Sequence, residues 1–377
     1  MSDRLRIGLI PFKKNGWMGG ELYIRTLSNG ITMAAKQDEQ DVIIDMPAGP
    51  IAGKAVALGR MVAARTRLVP LTLCNPGRYD FVYPCYTGKR APYKWGAWIP
   101  DFQEIYLPQF FSPEVVERRR ALYSQAAKYA PVIVLSSQNA LDDFLNLHPE
   151  AAERCRVMTF PSYPASDWLT PDPIEVQKKY ELADRFFIVC NQFWMHKDHK
   201  GVFKALSILK EQGIRPQIAF TGHTIDDRNP AYFGELTELI ETYGIGEQVK
   251  ILGLIPRLDQ VQLLRRSLAV IQPSLFEGWS TVVEDARALS KPILLSDFPV
   301  HVEQNPPYAR FFTRGNHEEL AELIKIAYED LEPGPDHERE KATVAQSYER
   351  TVEMGRTFIQ IARSTLEKPL AVSGGAR

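Results

Sequence analysis

An α/β architecture in two halves is what this 377-residue sequence predicts, on three observations. Short apolar runs of strand length alternate with longer amphipathic stretches along the whole chain, the signature of helices layered on parallel sheets. Prolines 161, 164, 171 and 173 crowd into one polar stretch, which reads as an inter-domain linker. The chain also exceeds what one compact core usually holds, so two domains are the default.

Taken in order, residues 4–12 read as a buried strand, 16–20 as a glycine-bearing loop and 21–36 as a helix. A strand at 41–46, a helix over 54–64 and short strands at 81–86 and 94–99 follow. Ser112-Pro113-Glu114 carries helix-start chemistry, namely a capping hydroxyl, a first-turn proline and an early acid, and that helix should reach 129. Strand 131–136, helix 137–147 and strand 155–160 complete the first half. After the linker come strand 186–190, helix 201–212, strand 216–220, helix 232–243 and strand 249–254. Helix 258–266, strand 269–273, a helix after Ser280, strand 292–296 and helix 318–329 close the set. The expected domains are 1–168 and 169–345, with 346–377 a C-terminal helix that packs back on the first domain, plus a tail. Ligands of open parallel sheets bind off the carboxyl ends of the strands, so a cleft between the halves is the default site.

Composition is that of an ordinary soluble protein, with 45% hydrophobic and 24% charged residues and a net charge of -1. No apolar run approaches the roughly 18–20 residues that span a bilayer. The N-terminus carries no signal-peptide pattern, and Cys74, Cys85, Cys155 and Cys190 form no metal-ligand spacing. The expectation is a cytoplasmic protein with reduced thiols and no metal. Residues 1–170 carry 20 Lys/Arg against 16 Asp/Glu, with clusters at Lys13-Lys14, Arg60/Arg65/Arg67, Lys89-Arg90 and Arg118-Arg119-Arg120. Such clusters are usually solvated surface; together they suit an anionic acceptor or peripheral contact with a membrane face.

The most informative segment is Pro273-Ser-Leu-Phe-Glu277-Gly278-Trp279-Ser280-Thr281-Val-Val-Glu284. Two carboxylates flank a strand-to-helix junction whose backbone N–H groups and positive helix end suit a phosphate. A carboxylate on either side can accept hydrogen bonds from sugar hydroxyls. Diphosphate in the middle and hydroxyls at both ends describe a nucleotide-sugar. Trp17, Trp98, Trp194 and Trp279 are candidates to stack on sugar faces, although a core aromatic is the commoner fate.

Phe276-Glu-Gly-Trp-Ser through Glu284-Asp-Ala-Arg-Ala-Leu-Ser-Lys-Pro resembles the signature of the family-4 retaining glycosyltransferases. Gly19-Gly20-Glu-Leu-Tyr23, Phe220-Thr-Gly-His223 and Ile251-Leu-Gly-Leu-Ile-Pro256 are weaker matches to the same family. The resemblance implies the GT-B architecture, two Rossmann-like domains facing across a cleft, and a metal-independent reaction that needs no cofactor. It assigns Glu277 to the transferred sugar and Glu284 to the ribose. Lys197, together with the amides of Gly278, Trp279, Ser280 and Thr281, falls on the diphosphate, where negative charge develops. Gly19 and Gly20 would let backbone approach the ligand. Retention would follow from attack on the same face as the leaving phosphate, with no protein nucleophile.

The sequence departs from the family pattern in three places. Six residues separate Glu277 from Glu284 instead of the usual seven. One deleted residue turns a helical side chain by about 100°. The arginine that normally accompanies the lysine is replaced by Asn191 or Gln192, leaving His196, His199 or Lys200 to supply its charge. The usual first-domain histidine has no match, so Asp101 and Gln103 are the candidates to face the reacting sugar. The implied activity is hexose transfer from a nucleoside-diphosphate sugar to a glycan or lipid-linked glycan, as in bacterial surface polysaccharide assembly. A nucleotide-sugar epimerase or hydrolase, and a nucleotide-sugar-binding subunit without turnover, stand as alternatives.

Overall fold

The computed structural model describes residues 4–12, 18–46, 79–87 and 93–367. The expected helix at 54–64, Cys74, Trp17 and the clusters at 13–14, 60–67 and 89–90 lie outside the described residues. The chain divides into two compact units. The first comprises Met1–Phe102, Pro113–Pro161 and Glu349–Arg377; the second comprises Gln103–Ser112 and Ser162–Tyr348.

The first unit is built on a six-stranded parallel sheet of β1 (Leu5–Leu9), β2 (Val42–Asp45), β3 (Phe81–Tyr83), β4 (Lys94–Ile99), β5 (Val132–Leu135) and β6 (Cys155–Val157). Their order is β2-β1-β3-β4-β5-β6. Sequence-adjacent β1 and β2 pair, and the chain then crosses to the other side of β1, which makes the β1/β3 border the topological switch point. All four residues of β5, Val-Ile-Val-Leu, are buried, as a strand covered on both faces requires.

Helix Met18–Gln37 follows β1, and the last helix, His337–Glu367, runs against it. A Cβ on Gly355 would stand 2.0 Å from the Gly30 carbonyl oxygen, so only glycine permits this helix crossing. Phe358 sets its ring edge-on to Phe81 and Tyr83, at 5.9 and 4.9 Å, and Arg356 grips Asp38 through two 2.8 Å bonds. From Glu349 onward this last helix belongs to the first unit.

In the second unit the parallel strands are β7 (Phe186–Cys190), β8 (Gln217–Thr221), β9 (Val249–Gly253), β10 (Val270–Gln272), β11 (Ile293–Ser296) and β12 (Ala309–Phe312). Their order, β12-β11-β10-β7-β8-β9, puts the switch point between β7 and β10. Successive residues of β7 serve opposite faces, as the strand period of two requires. Phe187 and Val189 pack with Phe203, Leu206, Leu236 and Ile324, while Phe186 and Ile188 pack with Val261, Leu264, Val283 and Ala286. Among the short elements without a counterpart in the expected set are helices Gln103–Tyr106, Pro173–Lys179 and Pro299–Gln304, and strand β12.

Candidate functional site

Two loops leave the carboxyl ends of β7 and β10, on either side of the switch point, and their side chains meet. Asn191, directly after β7, donates from Nδ2 to Gln272 Oε1 at 2.8 Å, so the strand ends are tied by buried amides. Gln272 then uses its own Nε2 on Glu277 Oε1 at 2.8 Å, Ser274 Oγ at 3.1 Å and Ser280 Oγ at 3.2 Å. Below them Ser296 Oγ donates to the Ser274 carbonyl at 2.7 Å. This buried amide and hydroxyl network sets the direction of the Glu277 carboxylate.

Lys197 ends a short 3-10 turn, Met195–Lys197, that follows β7. Its Nζ lies 2.5 Å from Glu277 Oε1, and the two side chains are only 14% and 10% exposed. Asp198 takes a left-handed conformation, φ 50°, and accepts the Gly201 N–H at 3.1 Å, which starts helix His199–Glu211 and fixes where Lys197 stands. Burial pushes the Asp198 carboxyl up to about 6. The exit of β8 passes close beneath: a Cβ on Gly222, φ +141°, would fall 2.2 Å from the Asn191 carbonyl oxygen.

Of the residues expected to replace the missing arginine, none offers a disengaged positive charge. His196 is buried and its pKa is held well below the usual histidine range, by burial first and then by Lys197 and Arg228. His199, stacked on Phe193 at 4.4 Å, is pushed by burial down to about 3. Lys200 is exposed and pairs with Glu235 at 2.6 Å. A cation that sequence reasoning missed, Arg228, contacts the β7 loop instead. Its guanidinium reaches His196 Nδ1 at 3.2 Å, Gln103 Oε1 at 3.2 Å and Asp226 Oδ1 at 3.1 Å, and lies 5.4 Å over Trp194.

Glu284 stands in the first turn of helix Thr281–Ala288 and is 1% exposed. Its Oε1 accepts from Gln304 Nε2 at 3.1 Å, and Arg287 Nε lies 3.6 Å from its Oε2. Ser280 is the cap residue, but its hydroxyl accepts from Gln272 and makes no capping bond. Gln304 instead grips the backbone of the cap residue: its Oε1 accepts the Ser280 N–H at 3.1 Å and its Nε2 donates to the Ser280 carbonyl at 3.0 Å. The first intrahelical bond is Glu284 N–H to the Ser280 carbonyl, so the N–H groups of Thr281, Val282 and Val283 precede it. Trp279 packs against Phe276, Phe298 and Val300 on the connecting loop.

The structure therefore joins Asn191, Lys197, Glu277, Ser280 and Glu284 in one bonded group, with Gly278 and Trp279 on its loop. Gly19, Gly20 and Asp101 belong to the other unit. There Gly19 and Gly20 lie in the first turn of helix Met18–Gln37, just after β1 at that sheet's switch point. Asp101 Oδ1 accepts from Arg119 Nη2 at 2.5 Å. Trp98 is a core aromatic, stacked on Tyr23 at 4.0 Å and bonded through its indole N–H to Ser136, not a sugar platform. Sequence reasoning missed Gln272 and Gln304. A polar amide closing a fully apolar strand, as Gln272 closes Val-Ile-Gln, is the signal that marks the first. Among the described residues no group of three or more His, Cys, Asp or Glu side chains could hold a metal ion.

Two parallel Rossmann-like units, with polar residues gathered at the switch point of the second, define the GT-B fold. Residues 173–346 match the family model of the glycosyl transferases group 1. Over 116 residues the chain is 31% identical to the provisionally named glycosyltransferase EpsF of Bacillus subtilis (strain 168). That match covers 30% of this chain and 28% of EpsF. The crystal structure of Anabaena Alr3699/HepE with UDP and glucose is similar at a TM-score of 0.65 and 17% identity, covering 96% of this chain and 100% of that one. A glycosyltransferase from Rickettsia africae is similar at 0.63 and 15%, covering 97% and 100%. The structural likeness establishes the fold.

Proposed function

We propose that the protein is a retaining, metal-independent glycosyltransferase that moves a hexose from a nucleoside-diphosphate sugar to a glycan or lipid-linked glycan, in bacterial surface polysaccharide synthesis. The observation that carries this reading is the Lys197–Glu277 pair, 2.5 Å apart, across the β7/β10 switch point. A lysine bonded, through Glu277 and Gln272, into the same group as the cap residue of helix Thr281–Ala288 suits a leaving diphosphate, whose negative charge grows in the transition state. Glu277 is then the group beside the transferred sugar, and Glu284 faces the ribose. The leaving phosphate takes the acceptor's proton, so the protein supplies no nucleophile. A peripheral position at the inner membrane face suits a lipid-linked acceptor.

The test is isothermal titration of UDP, GDP and ADP, followed by turnover of the matching nucleotide-sugars with and without glycan acceptors. UDP-glucose comes first, given the ligands of the Anabaena structure. Binding of one nucleotide, turnover that depends on acceptor, and loss of turnover in Glu277→Gln are the expected results. Retention is read from the anomeric configuration of the product. Product formed without acceptor would point to an epimerase or hydrolase instead.

A further inference from the structure

Gln304 lies at the end of the six-residue helix Pro299–Gln304, 20 positions from Glu284 in sequence, yet holds the start of helix Thr281–Ala288 at three points and its last turn at a fourth. Its side-chain amide closes on both backbone groups of Ser280, at 3.0 and 3.1 Å, and donates to Glu284 Oε1 at 3.1 Å. Its own carbonyl accepts from Arg287 Nη2. Arg287 in turn lies 3.6 Å from Glu284 Oε2, so the two residues hold the carboxylate from opposite oxygens. Gln304 is 4% exposed and Ser280 2%, and the cap hydroxyl is already committed to Gln272. No fold-level need for a cap explains the bond to Glu284. A buried side chain whose amide carbonyl takes a helix-start N–H and whose amide N–H takes a carboxylate fixes that backbone and that carboxylate relative to each other.

We propose that Gln304 is a positioning residue for the nucleotide-sugar, setting the Glu284 carboxylate against the helix start. This inference rests on the proposed function. It acts through Glu284, so removing Gln304 matters only while Glu284 is a carboxylate.

The experiment titrates the tightest-binding of UDP, GDP and ADP into the full chain and into Gln304→Ala, Gln304→Glu, Glu284→Gln and the double variant Glu284→Gln/Gln304→Ala. Thermal melting first establishes that each is folded. Gln304→Ala is expected to weaken binding about tenfold, the usual scale for losing a hydrogen bond to a charged group. The double variant binds as Glu284→Gln does, because contributions that pass through one group do not add. Gln304→Glu keeps an oxygen for the Ser280 N–H but puts a second carboxylate against Glu284. Its affinity, relative to the parent's at the same pH, therefore recovers as pH falls and the pair takes up a proton. That pH profile decides the matter alone should Gln304→Ala fail to fold. Gln304→Ala binding like the parent, additive losses in the double variant, or a parent-like pH profile in Gln304→Glu would each overturn the proposal. A parent chain that binds none of the three nucleotides overturns the proposed function, and this inference with it. Binding by the parent with unaltered Gln304→Ala overturns this inference only.

Discussion

A carboxylate that is nine-tenths buried must be paired or it neutralises, and Glu277 is paired twice on one oxygen. Lys197 and Gln272 both meet its Oε1, at 2.5 and 2.8 Å. Among the described residues Oε2 takes neither bond, so it is the oxygen left to meet a hydroxyl. Breaking such a pair by deleting one partner strands a charge, which costs far more than the pair contributes. Lys197→Met should accordingly lower the melting temperature and reduce kcat/KM for the donor by about 100-fold, the scale for losing one donor to developing charge. Glu277→Gln, which leaves Lys197 on the phosphate, should lower kcat while nucleotide affinity holds. Steady-state kinetics and differential scanning fluorimetry on both variants separate these effects. Unchanged kcat/KM in Lys197→Met would remove the lysine from the chemistry.

Long or strongly apolar elements were legible from sequence, and short ones were not. Strands Lys94–Ile99 and Phe186–Cys190 and helix Tyr232–Tyr243 have the expected bounds, because each couples a clear period to turn residues at its ends. Helix Pro299–Gln304 is under two turns and shows no periodicity, although Pro299 in its first turn and Asn305 at φ 36° after it are start and stop signals. Missing that helix meant missing Gln304, and with it the partner of Glu284. The two glutamates were visible because a motif is local; Gln272, Gln304 and Arg228 were not, because their roles exist only once distant loops meet. The same holds for Arg265 and Glu340, 0% and 2% exposed in side chain, which pair through bonds of 2.9 and 2.9 Å. Arg265 also donates to the carbonyls of Trp168 and Pro171, so one guanidinium holds the proline-rich stretch and the start of the last helix. Glu340→Ala should cost about 3–5 kcal/mol by leaving that guanidinium unpaired, whereas Arg265→Met/Glu340→Met should cost far less. Chemical denaturation of both variants checks the ordering; a double variant as unstable as the single would contradict it.

Over the whole molecule, buried bases make folding sensitive to acid. Burial lowers His196 well below its usual value, His199 to about 3 and His301 to about 4. Each folded pKa lies below the unfolded one, so the unfolded chain binds more protons between them and stability falls as pH drops. The stabilisation is fully present above about pH 6.5 and is lost progressively toward the folded values. At about 1.4 kcal/mol per pKa unit, His301 alone accounts for on the order of 3 kcal/mol across its window. Asp198 works the other way: its folded pKa is raised to about 6, so its contribution is full below the unfolded value and lost as pH rises through 6. One carboxyl opposes three imidazoles, and the histidines dominate. Buried Lys291, lowered to about 7 by desolvation, has the same sign as the histidines and moves stability at higher pH, between about 7 and its unfolded value of 10.5. Calorimetric melting from pH 7.5 down to 4.5 should therefore show a Tm that falls once pH drops below about 6.5, and His301→Gln should flatten the slope there. A Tm that holds level to pH 4.5, or a His301→Gln slope equal to the parent's, would mean these rings are not kept neutral by the fold.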